Sequence, residues 1–181
     1  MRSVLVIAVM AAFLMTACAN RGQEDETLIA PDVFSLGAGN AIVFHAETDR
    51  PIHLGDHSGR INDIPLAERA GRKPPKEAGW RFRLGQRPAS AVVEVAVYSV
   101  AEPKYRCATV VRLNDEDILD LSQIAGAGSG AMTRATIPLD VEQLSAGENT
   151  LSILERPCLG FGRPTWNDSL VRAAAIRVAF P

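Results

Sequence analysis

The run Cys158-Leu159-Gly160-Phe161-Gly162-Arg163-Pro164-Thr165-Trp166-Asn167-Asp168 gathers the side chains most suited to recognising a polar ligand. Phe161 and Trp166 offer flat faces that can stack on sugar rings, while Arg163 and Asn167 can bond hydroxyls. Glycine and proline between them give a shaped loop, and loops on a rigid scaffold commonly carry binding residues. Phe161, Arg163, Trp166 and Asn167 are therefore the candidate ligand residues. The competing reading makes the two rings core material that plugs the end of the fold. Only 6% of the chain is aromatic, so such rings are valuable to a core.

Other constellations carry less. His53, Asp56, His57 and Asp63 form the one cluster with ligand types for a metal, yet a glycine-rich loop does not hold them in place as a helix would. They read as a polar surface loop, and no metal is expected. Asp115, Glu116 and Asp117 offer oxygens that suit calcium, but three consecutive acids lack the alternating spacing of a calcium loop. They read as a solvated turn. Gly126 to Gly130 lacks the Gly-Lys-Ser/Thr ending of a phosphate cradle and reads as a linker. Ser129 has no nucleophile-elbow context. The separation of two carboxylates, on which glycoside hydrolysis depends, is a property of the fold. The chain is accordingly not read as an enzyme and no cofactor is expected. With a net charge of −2 and no basic stripe, nucleic-acid binding has no electrostatic support.

The N-terminus gives the address. Arg2 supplies a positive start, and Val4 to Leu14 is an apolar run of about 11 residues, too short for the ~30 Å hydrocarbon core. Such a run marks residues 1–17 as a cleaved signal peptide. Leu14-Met15-Thr16-Ala17-Cys18 resembles the lipobox of bacterial lipoproteins, Leu-(Ala/Ser/Thr)-(Gly/Ala)-Cys, with Met15 where leucine is usual. The resemblance implies a diacylated Cys18 at the mature N-terminus, whose acyl chains (palmitate among them) partner a membrane. The absence of aspartate at Ala19 and Asn20 resembles outer-membrane sorting. The rival site is Ala17-Cys18-Ala19, which ordinary signal peptidase would cut to release a soluble protein starting at Asn20. Both readings put the domain in the bacterial cell envelope. The lipobox reading hangs it from the outer membrane, facing periplasm or surface.

About 160 residues remain, enough for one domain with a real core. Residues 18–30 form a polar tether and residues 31–181 the domain. In an oxidising compartment, Cys107 and Cys158 are expected to form one disulfide, closing a loop of roughly 50 residues worth about 4 kcal/mol. Two isolated cysteines with no nearby histidine make a poor zinc site.

Strand signals fill the second half. Trp80 to Leu84 alternates with period two, and Val92 to Val100 is long and β-branched. Cys107 to Leu113 and Ile118 to Leu121 flank the polar Asn114 to Asp117, the pattern of a hairpin. Ala135 to Leu139, Thr150 to Leu154 and Leu170 to Phe180 follow, and Ala41 to Ala46 precedes them. Arg50 to Gly79 reads as one long folded loop with a possible helical turn at Leu66 to Gly71. Ala125 to Ala131 reads as a flexible connection and Val141 to Leu144 as a single helical turn. Seven or eight short strands predict an all-β fold, an antiparallel β-sandwich.

Three pieces between Trp80 and Phe180 resemble galactose-binding-like jelly-roll domains, the β-sandwich of many carbohydrate-binding modules. Val110-Val111-Arg112-Leu113-Asn114 followed by Ile118 resembles the hairpin V-x-L-N-G-x-x-(I/L), with Asp115 where glycine is common. Ile137-Pro138-Leu139, then Leu144, Gly147, Asn149, Leu151 and Ile153, resembles (I/V)-P-L…L-x-x-G-x-N-x-(I/L)-x-I. Asp168 to Arg172 and Ile176 to Val178 resemble the closing strand. Binding loops vary freely in that family, so the resemblance assigns no ligand residue. It implies a non-catalytic binding module for a glycan or an envelope partner protein. The alternative is a structural or assembly accessory of a surface complex, without a small ligand.

Overall fold

The computed structural model describes residues 28–36, 41–46, 50–56, 74–102, 104, 106–159 and 165–181. The signal peptide, residues 18–27 of the tether and the turn expected at Leu66 to Gly71 lie outside them.

Ten strands run through the described residues: β1 (Leu28–Leu36), β2 (Ala41–His45), β3 (Ile52–Leu54), β4 (Glu77–Leu84), β5 (Ser90–Tyr98), β6 (Ala108–Leu113), β7 (Glu116–Asp120), β8 (Met132–Leu139), β9 (Gly147–Arg156) and β10 (Ser169–Ala179). They build two packed sheets. One has the order β1-β4-β9-β6-β7, and the other β2-β10-β5-β8 with β3 pairing β10. This is the expected all-β sandwich. From β4 to β10 the chain passes between sheets at every step except the β6–β7 hairpin. Nearly all pairings are therefore long-range.

Three details depart from the sequence reading. The strand β1 starts at Leu28, so the last residues assigned to the tether belong to the domain. It also pairs with β4 in parallel, while every other strand pairing among the described residues is antiparallel. Short β3 lies inside the stretch read as one long loop; three residues are too few to show a period, and pairing with β10 makes them a strand.

The core follows from alternation. On β4, Trp80, Phe82 and Leu84 turn inward and Arg81 and Arg83 outward. Leu151 and Ile153 of neighbouring β9 lie beside them, and Val93, Val95 and Val97 of β5 in the other sheet join the same cluster. Phe44 packs on Trp80 and Phe82 at centroid distances of 5.8 and 5.5 Å. Each such side chain contributes roughly 1.5–3 kcal/mol of burial.

The turns obey local chemistry. Asn114 (φ 49°) and Asp115 (φ 68°) make the two-residue β6–β7 turn with both central residues left-handed, which Asn and Asp tolerate and which matches strand twist. The expected helical turn is a 3-10 turn over Val141–Gln143, capped by Asp140. Ala125 to Ala131 differs from the flexible connection expected. It is a series of closed turns, with Ala131 N bonded to Gly128 O at 3.2 Å and Gly130 N to Ser99 Oγ at 3.1 Å. Glycine permits the positive φ that these turns need, so the composition that suggested looseness encodes a fixed path.

Candidate functional site

The site is one end of the sandwich, where β9 leaves and β10 begins. Cys107, just before β6, and Cys158, just after β9, form the expected disulfide, with a Cα–Cα distance of 4.1 Å. Both are buried, in contact with Ala101. Cys158 N donates to Thr165 O at 2.7 Å, so the chain departs and returns beside the cystine. Phe161 and Arg163 lie outside the described residues.

Trp166 is half-buried, neither a core plug nor a free ring. Its backbone N donates to Asp56 Oδ2 at 3.0 Å, and Lys76 Nζ sits 3.7 Å from the ring centroid. That cation–π contact covers one face of the indole and steadies it. The Asn167 amide donates to Ser99 O at 2.8 Å, so this candidate ligand residue joins its segment to the end of β5.

Next along the chain, Asp168 is only 2% exposed and lies 3.0 Å from His53 Nε2. Gly55 makes that approach possible. A Cβ there would stand 2.4 Å from both Asn167 O and Asp168 Oδ1, and its φ of +131° is one L side chains rarely adopt. His53 and Asp56 are thus spent on the 166–168 segment. His57 and Asp63 lie outside the described residues, among which no group of three or more His, Cys, Asp or Glu could hold a metal ion. Asp117 is engaged by Arg112 at 3.4 Å and by Arg156, so the acidic turn is an ion-pair cluster.

Glu155 is the residue that the sequence reading missed. It continues the inward phase of Asn149, Leu151 and Ile153 on β9, so a carboxyl replaces an apolar side chain at the core's rim. This phase was the available signal. Oε1 accepts from Thr109 Oγ1 at 2.9 Å and from Ser169 Oγ, and Thr109 Oγ1 accepts from Ala101 N at 3.2 Å. Oε2 makes no hydrogen bond of good geometry. Loss of hydration pushes the carboxyl up to about 8; the Asp168 charge adds to the rise, while hydrogen bonding to Ser169, Thr109 and Asn167 opposes it. The Ser169 hydroxyl is fully buried and donates to Glu155 rather than to His53. Ser169, His53 and Asp168 are neighbours without forming a nucleophile–base pair.

Fold and site define an all-β sandwich with a cystine-braced end. No family model matches the chain, and no curated protein matches it. Among solved structures it is similar to the ANX2 ectodomain from Arabidopsis thaliana, with 17% identity and a TM-score of 0.36. That match covers 84% of this chain and 45% of the other, so the chain spans less than half the length of that structure.

Proposed function

We propose that this is an envelope lipoprotein, anchored through acylated Cys18, whose sandwich is a non-catalytic binding module for a glycan or an envelope partner. The observation that carries the reading is Trp166: a half-buried residue whose backbone N is held by Asp56 and whose ring is held by Lys76, at an end braced by a disulfide. A ring held before the ligand arrives loses little further freedom on binding, which favours stacking on a sugar face. The galactose-binding-like jelly roll is part of this reading. Its support is that two motif segments, around Asn114 and around Asn149, meet in space. The module would take its ligand on the accessible part of Trp166.

The test is binding of the full chain, purified in detergent, to a panel of glycans and cell-wall fragments, with Trp166→Ala alongside. A glycan bound by the wild type and lost in the variant supports the reading. No binding across the panel overturns the glycan form, and crosslinking in cells then asks for a protein partner.

A further inference from the structure

The β1–β4 pairing fixes where the chain enters the domain. Leu28, the first residue of β1, stands opposite Ala78 near the start of β4. Ala78 is two residues from Lys76, whose ammonium lies over the Trp166 ring. The chain therefore enters at the cystine-braced end, beside Trp166, and not at the far end that carries the Asn114 turn. Cys18 stands ten positions before Leu28. Ten residues reach at most about 35 Å, and the sandwich itself runs roughly 30 Å along β9 and β10. A connection of that length lets the braced end meet a bilayer directly. The far end could do so only with the connection drawn out almost fully along the domain.

The chemistry of the two ends differs in the same sense. Val43, Met132 and Leu159 are the exposed large hydrophobics among the described residues. Val43 lies within β2, whereas the other two lie at the braced end. Met132 pairs with Tyr98, where β5 ends, and Leu159 follows Cys158, the bridge partner of Thr165. Trp166 follows Thr165, so an indole, a leucine and a methionine share this end with Lys76 and the exposed Arg106. Glu102 at the same end is paired with Lys104. The far end instead exposes Asp115, Glu116, Glu142 and Glu148, with Arg87 bound to Glu142. Indole rings settle at the headgroup level of a bilayer, aliphatic side chains reach the acyl boundary, and cations meet lipid phosphates. An acidic end is repelled from an anionic surface.

We propose that the braced end is a membrane-docking surface, on which Leu159, Met132 and Trp166 rest against the anionic phospholipid surface that holds the Cys18 acyl chains. The proposal rests on the reading that Cys18 is acylated. It also narrows the glycan reading, because a sugar stacked on Trp166 would then belong to a lipid headgroup and not to a free polymer.

The test reconstitutes the full acylated chain into vesicles of phosphatidylcholine and phosphatidylglycerol with brominated acyl chains. Tryptophan emission is read against the same vesicles without bromine, after intact mass has established whether Cys18 is acylated. The wild type is expected to lose emission to the bromines. Trp166→Phe, left with the core residue Trp80, should lose little. Adding Gln86→Trp to that variant puts a reporter just past β4 at the far end, which should go unquenched. Leu159→Asp combined with Met132→Asp should restore much of the wild-type emission; both positions are exposed, so the fold tolerates the change. An unquenched wild type overturns the docking surface. So does equal quenching of the Gln86→Trp reporter, or undiminished quenching in the double aspartate variant. Acylated Cys18 with an unquenched Trp166 removes the docking surface and leaves the anchor standing, whereas an unacylated Cys18 removes the anchor and the docking surface with it.

Discussion

Asn114 in the β6–β7 turn donates through Nδ2 to Oδ1 of Asn149 at 3.0 Å, across 35 residues of chain. Each amide also ties down backbone. Asn114 bonds Gln143 O at 2.7 Å and accepts from Thr150 N at 2.8 Å, while Asn149 accepts from Ser145 N at 2.9 Å and donates to Ser145 O at 3.0 Å. Two turns and the start of β9 are thereby knotted at the end of the sandwich opposite Glu155. Asn149→Ala should cost about 2–4 kcal/mol, because it strands several partly buried backbone groups at once. Urea unfolding should show a lower midpoint with an unchanged slope.

Glu155 predicts an unusual pH profile. Its folded value of about 8 lies above the ordinary 4.5, so between the two the folded chain keeps a proton that the unfolded chain has lost. Stability from this group is fully present below the ordinary value, falls as pH rises through the interval, and is flat above the folded value. Glu155→Gln should flatten that slope and, at high pH, exceed the wild type by about 2–4 kcal/mol. Denaturant unfolding across the pH range decides it. A wild type whose stability does not fall between the two values refutes the prediction.

The Cys107–Cys158 disulfide closes a sequence separation of 51. Replacing both cysteines by serine should lower stability by about 4 kcal/mol in the chain-entropy account. Thermal unfolding under oxidising and reducing conditions should show the same loss for the reduced wild type.

Gly55→Ala should be among the most damaging small substitutions, costing about 3 kcal/mol or more. The added methyl meets backbone and a buried carboxylate, and the backbone there is left-handed. The damage should fall on the His53–Asp168 contact, so Trp166 fluorescence should change more than far-ultraviolet circular dichroism.

Cys18→Ser should abolish palmitate labelling in cells and move the protein from the membrane to the soluble fraction. Labelling that persists in the variant would place the acyl chain elsewhere.

Local pattern determined much of this protein. Period-two alternation in Trp80 to Leu84 and β-branched density in Val92 to Val100 made β4 and β5 legible, since each residue's side of the pleat is a local property. The β6–β7 hairpin and the turn at Val141 announced themselves through Asn, Asp and capping chemistry. The disulfide was legible because two cysteines remain once Cys18 is set aside. Tertiary structure alone decided the rest. Whether a strand joins one sheet or the other, and that β1 runs parallel to β4, depends on which edges are free once the core has closed. His53 meets Asp168 across 115 residues, a pairing no spacing rule reaches. Glu155 stood in plain sight on the inward phase of β9. What it touches was set by β6 and β10 arriving from elsewhere in the chain, because a buried carboxyl takes its chemistry from whatever surrounds it.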